Sequence, residues 1–165
     1  MKTYAGPPRT KILLAVTPEK ADRLECILEG HELVFVKNSA DAMRLLRTDG
    51  FGIVILGVHF DESQMFTLLS DIRAHAKYRK VPIVCVLGER GRALTDIAVE
   101  GLDHAVKAMT ANGFLDLKHF PDDEEGNARI RRIVDYLILI DGDLMHLARA
   151  QGHPVINMEE RRSSR

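Results

Sequence analysis

The sequence predicts an α/β protein in which helices cover both faces of a parallel β-sheet. Apolar runs of strand length alternate with segments of helical period along most of the chain, which is typical of βαβ units. The run from Lys11 to Val16 is apolar after its first residue, as expected of a strand buried on both faces. At 165 residues, of which 45% are hydrophobic and 28% charged, the chain has the length and composition of one globular domain.

Turn and cap residues separate the elements of the first half. Thr17 and Pro18 are typical of the first residues of a helix, and Gly30 is typical of the left-handed residue that ends one. Residues 31–36 then read as the second strand. Ser39 is a candidate N-cap for the second helix, whose apolar residues share one face. The predicted order up to this point is therefore strand, helix, strand, helix.

The second half continues the same alternation. The predicted elements are a strand over 52–58, a helix over 65–72, a strand over 81–87, a helix over 93–111, a strand over 114–117 and a final helix from 122 onward. The helix over 93–111 is long, and Gly101 is where it would break. We expect a flexible N-terminal arm at residues 1–9, the domain at 10–140, and a helix extension and tail at 141–165.

Composition argues against several classes of function. The 23 basic and 24 acidic residues nearly cancel, so no basic patch indicates nucleic-acid binding. No apolar run approaches the roughly 18 residues of a membrane span, and the N-terminus does not resemble a signal peptide. Cys26 and Cys85 lack metal-ligand spacing and are expected to be two buried, reduced thiols. These features predict a cytoplasmic protein that binds neither nucleic acid nor membrane.

Four stretches carry a resemblance to a known family. Residues 52–58 are similar to the central strand of response-regulator receiver domains, residues 38–46 to the start of their second helix, residues 82–87 to their fourth strand, and Lys118 with residues 128–133 to their last strand and helix. The resemblance covers about residues 10–140 and implies a flavodoxin-like, doubly wound sheet of five parallel strands in the order 2-1-3-4-5, with five helices.

The resemblance also implies where an active site would lie, and most of that site is missing. A receiver carries two acids after the first strand, the phosphoacceptor aspartate after the third, a Thr or Ser after the fourth and a Lys after the fifth. The matching residues here are Val16 and Thr17, Gly57, Leu87 and Lys118. Only the lysine is retained, and apolar side chains cannot hold Mg²⁺, which requires oxygen ligands. We therefore predict a degenerate pseudo-receiver with no metal, no cofactor and no phosphorylation at Gly57.

Two residues beyond Gly57 could replace the missing acceptor. His59 and Asp61 lie on the loop above the crevice. The alternative interpretation is that Asp61 or Ser63 caps the third helix while His59 is a solvated side chain. Lys118 is either a functional remnant or a side chain that turns to solvent or to Asp61.

Few other motifs suggest chemistry. The seven histidines show no metal-ligand spacing, and no nucleotide or hydrolase signature is present. Residues 88–92 form a glycine-rich basic stretch that either binds an anion through backbone amides or is an ordinary strand-to-helix turn.

The final helix carries a wider apolar surface than one sheet face requires. Such a helix is either covered by other parts of the chain or meets a partner, and both possibilities remain open. The candidate interaction face consists of Ile130, Val134, Leu137, Leu139, Ile140 and Leu144. Receivers commonly pair through the surface formed by their fourth helix, fifth strand and fifth helix, so the resemblance points to a homodimer through the last helix.

These observations together predict a binding protein rather than an enzyme. The predicted function is phosphorylation-independent protein interaction or scaffolding in two-component-type signal transduction, with a signalling protein as partner. The first alternative is a sensor of a small ligand or anion that uses Lys118 and the loop at 88–92. The second is an enzyme on a flavodoxin-like scaffold, for which no acid/base pair or activated nucleophile is evident.

Overall fold

The computed structural model describes residues 7–88 and 94–150, with side chains as far as residue 141. Strands and helices alternate along the chain as the sequence predicts. The strands are β1 (Lys11–Ala15), β2 (Glu32–Phe35), β3 (Ile53–Gly57), β4 (Ile83–Leu87) and β5 (Gly113–Asp116). The helices are α1 (Pro18–Ile27), α2 (Ser39–Thr48), α3 (Met65–Ala74), α4 (Asp96–Ala108) and α5 (Glu124–Ala150), and short 3₁₀ turns lie at Ala76–Tyr78 and Leu117–His119.

The sheet confirms the predicted fold class. Its five strands lie in the order β2-β1-β3-β4-β5, and every neighbouring pair is parallel. The order reverses between β1 and β3, and in folds of this type ligands bind beyond the carboxyl ends of the strands near that point. The residues that follow β1, β3 and β4 are therefore the first to consider for a site.

Two hydrophobic clusters hold the helices on the sheet. Alternate residues of β1 point to opposite faces, with Leu13 and Ala15 in one cluster and Ile12 and Leu14 in the other. The first cluster packs against α2, α3 and α4, and the second against α1 and α5. Burial on both faces explains why β1, β3 and β4 read as continuous apolar runs.

Two predicted helix starts differ from the structure. Asn38, not Ser39, is the N-cap of α2, because its side-chain oxygen accepts a hydrogen bond of 2.8 Å from the amide of Asp41. The fourth helix begins at Asp96 after the N-cap Thr95, and it passes through Gly101 without a break. Its continuity has a physical reason, since one glycine weakens a helix by only about 1 kcal/mol.

The last helix is long and anchored along its first half. It has 27 residues, a length of about 40 Å at the usual helical rise. Ile130, Val134 and Ile138 follow one another at four-residue intervals and are buried in the second cluster. The Arg131 guanidinium fixes the rotation of the helix by donating to the carbonyl oxygens of Ile27 and Glu29 at the end of α1.

The two cysteines differ in accessibility, contrary to the expectation that both are buried. Cys85 lies in β4 and is fully buried, whereas Cys26 is exposed on α1. Burial raises the pKa of the Cys85 thiol to about 12, an effect only partly offset by the nearby Arg73. The thiolate is the reactive form of cysteine, so Cys85 should be inert in the folded protein.

We therefore expect a thiol reagent to modify one cysteine of the native protein and both cysteines after denaturation. The native reaction should disappear in the Cys26→Ser variant and persist in Cys85→Ala. Rapid modification of Cys85 in the native protein, detected by peptide mass mapping, would contradict the packing of β4.

Candidate functional site

The carboxyl ends of β1, β3 and β4 bring three of the predicted site residues together. Val16 directly follows β1, Gly57 is the last residue of β3, and Leu87 is the last residue of β4. Val16 and Leu87 are buried, and the amide of Val58 donates to the carbonyl oxygen of Val86 at 2.9 Å, so the chain stays on the sheet beyond Gly57. The base of the crevice is consequently apolar and closely packed.

Gly57 is closely packed against β1. A Cβ atom added at Gly57 would lie 3.3 Å from the Cα of Val16 and 3.5 Å from the carbonyl oxygen of Ala15. The first distance is shorter than ordinary van der Waals contact, so any side chain at this position requires a small shift of the β1 backbone. This position therefore carries no acidic side chain, and a side chain added there would press against the β1 backbone.

The donor set does not fit the magnesium ion that receiver domains use. Val16 and Gly57 offer no side-chain oxygen, and Thr17 offers a single hydroxyl where Mg²⁺ usually takes carboxylates. No group of three or more histidine, cysteine or acidic side chains with metal-binding geometry exists among the residues that the structure describes. A receiver-type metal site is thus incompatible with these residues.

Lys118 turns toward α4. It lies in the 3₁₀ turn after β5, and its ammonium nitrogen is 3.9 Å from a carboxylate oxygen of Asp96. Both side chains are well exposed, at 58% and 83% of their surface, so this ion pair is weak. Lys118 is therefore exposed to solvent, as expected. Its ion-pair partner is Asp96, whereas the expected partner was Asp61.

One interpretation of the sequence makes Asp61 the cap of the third helix, and the structure contradicts it. Helix α3 begins after Gln64 with no side-chain cap, which excludes Ser63 as well. The Asp61 carboxylate instead accepts a hydrogen bond of 2.8 Å from the backbone amide of Ser39, the first residue of α2. This bond lowers the pKa of the Asp61 carboxyl group. The Asp61 carboxylate is thus hydrogen-bonded at the N-terminus of α2. His59, two residues earlier, is exposed.

Two further residues near the crevice, Lys20 and Asp116, carry no motif in the sequence. The side chain of Lys20, from the first turn of α1, fills the space in which a Cβ atom of Gly88 would lie. Asp116 is a buried acid at the end of β5, paired in register with Leu87. Its carboxylate accepts a hydrogen bond of 3.1 Å from the Lys118 amide and so caps the 3₁₀ turn. Of the predicted anion loop at 88–92, only Gly88 lies within the described residues.

An open groove of about 510 Å³ lies between α4 and the segment from β5 to Phe120. Its apolar lining consists of Val99, Phe114 and Phe120. Its charged and polar lining consists of Asp96, Glu100, Asp103, Lys107, Asp116, Lys118 and His119. Ile97, next to Asp96 on α4, is 83% exposed, which is unusual for so large an apolar side chain.

The predicted interaction face on α5 divides into a buried part and an accessible part. Ile130 and Val134 are buried against the sheet, so the expectation that these two residues meet a partner is wrong. Leu137 is partly buried beside them. Leu139 is half-buried and Ile140 is 38% exposed. Tyr136 is 62% exposed. The side chain of Leu144 lies outside the described part of the chain.

No helix in the described part of the chain is both long and apolar enough to cross a membrane. No protein-family model matches the sequence, and no curated protein matches it either.

Solved structures nevertheless match the fold closely. The receiver domain of a sensor histidine kinase from Pseudomonas aeruginosa, solved with magnesium in its active-site cleft, is 21% identical, covers 79% of this chain and 98% of its own, and has a TM-score of 0.60. A putative response regulator from Chloroflexus aurantiacus is 20% identical over 76% of this chain and 97% of its own, with a TM-score of 0.59. The signal receiver domain of a putative LuxO repressor from Vibrio parahaemolyticus is 17% identical over 85% and 97%, with a TM-score of 0.61. The chain has the fold of response-regulator receiver domains.

Proposed function

We propose that this protein is a phosphorylation-independent interaction module of two-component-type signalling. The observation that carries the proposal is Gly57 itself, which packs against Val16 and offers no acceptor side chain at the position where receivers are phosphorylated. The likeness to receiver domains of signalling proteins supports the signalling context. Without phosphoryl chemistry at this position, the activity that remains to the fold is binding.

The surface best suited to a partner joins α5 to the groove beside α4. Arg131 faces α1, whereas the Arg129 guanidinium stacks on the Phe120 ring, 4.8 Å from its centre. Tyr136 lies seven residues after Arg129, and Ile140 four residues further on, so helical periodicity puts them on the Phe120 side of α5. Tyr136 and Ile140 therefore lie on the same side of α5 as the Arg129–Phe120 contact, further along the helix. We name Tyr136, Ile140 and the groove residues the α4–α5 surface.

We further propose that a second copy of this chain binds the α4–α5 surface, giving a homodimer through the last helix, and that a signalling protein is the alternative partner. Solution mass by light scattering over a range of protein concentrations tests this proposal. Replacing Tyr136 and Ile140 together with serine should weaken the dimer at least about tenfold, since it removes two large apolar contacts.

Arg47→Ser is the control. Arg47 is exposed near the end of α2, a helix that packs on α3 and β1 and not on the α4–α5 surface. A dimer weakened equally by both changes, or a monomer at every concentration, would contradict the homodimer.

One observation favours the anion sensor as a second candidate. Lys20 brings an ammonium group over Gly88 at the carboxyl edge of the sheet, where a small anion would meet it. Calorimetric titration with inorganic phosphate would detect such binding. Loss of binding in both Lys20→Ala and Lys118→Ala would support the sensor, and no heat of binding in the unmodified chain would exclude phosphate as its ligand.

A further inference from the structure

The turn between β3 and α3 has an unusual backbone. Asp61, Glu62 and Ser63 have φ angles of 47°, 53° and 66°, so three consecutive residues other than glycine adopt the left-handed conformation. The amide of Gln64 closes the turn by donating to the carbonyl oxygen of Phe60 at 3.0 Å. Each left-handed L-residue costs on the order of 1–2 kcal/mol, least for Asp and Asn. The turn is therefore strained and requires other contacts to hold it.

Three contacts hold the turn closed. Phe60 before it and Met65 after it are both buried in the cluster that α2 and α3 share. Between these two anchors, the only described polar contact from the left-handed residues to another element is the hydrogen bond from the Ser39 amide to the Asp61 carboxylate. That carboxylate lies at the N-terminus of α2, where the helix dipole favours negative charge. Glu62 and Ser63 are exposed.

We propose that residues 61–63 form a latch, closed by the Asp61 carboxylate on the first amide of α2, which opens when that contact is lost. Opening lets the three residues relax to right-handed conformations and leaves the Ser39 amide without its acceptor. The loop above the crevice and the first turn of α2 consequently open together. The exposed His59 precedes the latch, so the surface beside the crevice has two forms, and the choice between them needs no phosphoryl group.

Amide hydrogen exchange of the full chain tests the latch, with Asp61→Ala as the opening variant. Loss of a charge-assisted hydrogen bond should accelerate exchange at least about tenfold at residues 58–64 and in the first turn of α2. Exchange in β4 and β5 should stay unchanged. The control is Thr67→Ala, since Thr67 is exposed on α3 one turn beyond the latch. Unchanged exchange at residues 58–64, or equal acceleration throughout the sheet, would overturn the proposal.

A second pair of variants tests the strain directly, even if Asp61→Ala does not fold. Glu62→Gly relieves one left-handed residue and should slow exchange at residues 58–64 about threefold or more, whereas Glu62→Ala keeps the penalty and should change little. Because Glu62 is exposed, neither change removes a core contact. Equal exchange in the two variants would show that left-handed strain does not control the loop, and the latch would be rejected.

Discussion

Replacing Arg73 with methionine is expected to lower the free energy of unfolding by about 3 kcal/mol, because it leaves several carbonyl groups without their donor. The guanidinium joins the end of α3 to the start of β4 and to the turn before β5. Its acceptors are the carbonyl oxygens of Tyr78, Arg79, Val81 and Thr110 and the side-chain oxygen of Asn112, at distances between 2.7 and 3.3 Å. Thr110 is itself left-handed, with a φ of 68°, so Arg73 also holds a strained turn.

The matched control for Arg73 is Arg79→Met, at an exposed position. We expect it to change stability by less than about 0.5 kcal/mol. Since the chain contains no tryptophan, unfolding in urea is best followed by circular dichroism. Equal urea midpoints for the two variants would mean that the Arg73 network contributes no net stability.

Gly126→Ala is expected to destabilise the protein by about 3 kcal/mol, the upper end of the usual range for an overpacked site. A Cβ atom at Gly126 would collide with the backbone carbonyl of Pro121, and backbone atoms cannot move aside as a flexible side chain can. The amide of Gly126 is bound to the Asp123 carboxylate at 2.8 Å, which fixes the first turn of α5 against that segment.

Gly101→Ala should instead stabilise the protein. A Cβ atom at Gly101, in the middle of α4, would meet nothing within 4 Å. Alanine is the better helix former, so we expect a gain of about 0.5–1 kcal/mol. Thermal unfolding of the two variants beside the unmodified chain compares the same substitution in two helices. A gain at Gly126, or a loss at Gly101, would contradict the packing described for that helix.

The fold could be predicted from the sequence because its signals are periodic. Strands buried on both faces give uninterrupted apolar runs, and the helices between them give a repeat near 3.6 residues, so element type follows from local pattern. The strand order does not follow from periodicity, and its prediction rests on the resemblance to receiver domains. The glycine predicted to follow the first helix is an equally local signal. Gly30 has a φ of 93°, the left-handed value that glycine tolerates.

Sequence patterns do not reveal contacts between a side chain and a distant segment. Capping preference assigns Asp61 to the nearest helix, whereas its carboxylate accepts a hydrogen bond from an amide 22 residues earlier. Lys20 and Arg73 carry no motif, because their roles depend on glycine or carbonyl groups that only the tertiary fold brings near. The period of α5 predicts one apolar face, although Ile130 and Val134 are in the core and Tyr136 is exposed. Periodicity indicates that a helix has an apolar face, but not which part of it is covered.

Three candidate site residues at the crevice, Gly57, Asp61 and Lys118, are engaged in contacts within the chain. The position of the phosphoacceptor is closely packed, the Asp61 carboxylate is engaged with α2, and Lys118 is drawn toward α4. Each contact is intramolecular and needs no metal or phosphate. We propose the α4–α5 surface, and not the crevice, as the region that binds a partner.

Native mass spectrometry of the full chain, before and after incubation with acetyl phosphate and Mg²⁺, would show whether this protein works without phosphorylation, because one spectrum reports both covalent mass and oligomeric state. We expect no phosphoryl adduct and an unchanged distribution between monomer and dimer. A stoichiometric adduct, mapped to His59 or Asp61 and accompanied by a shift in that distribution, would contradict this expectation and show that phosphoryl transfer still controls assembly.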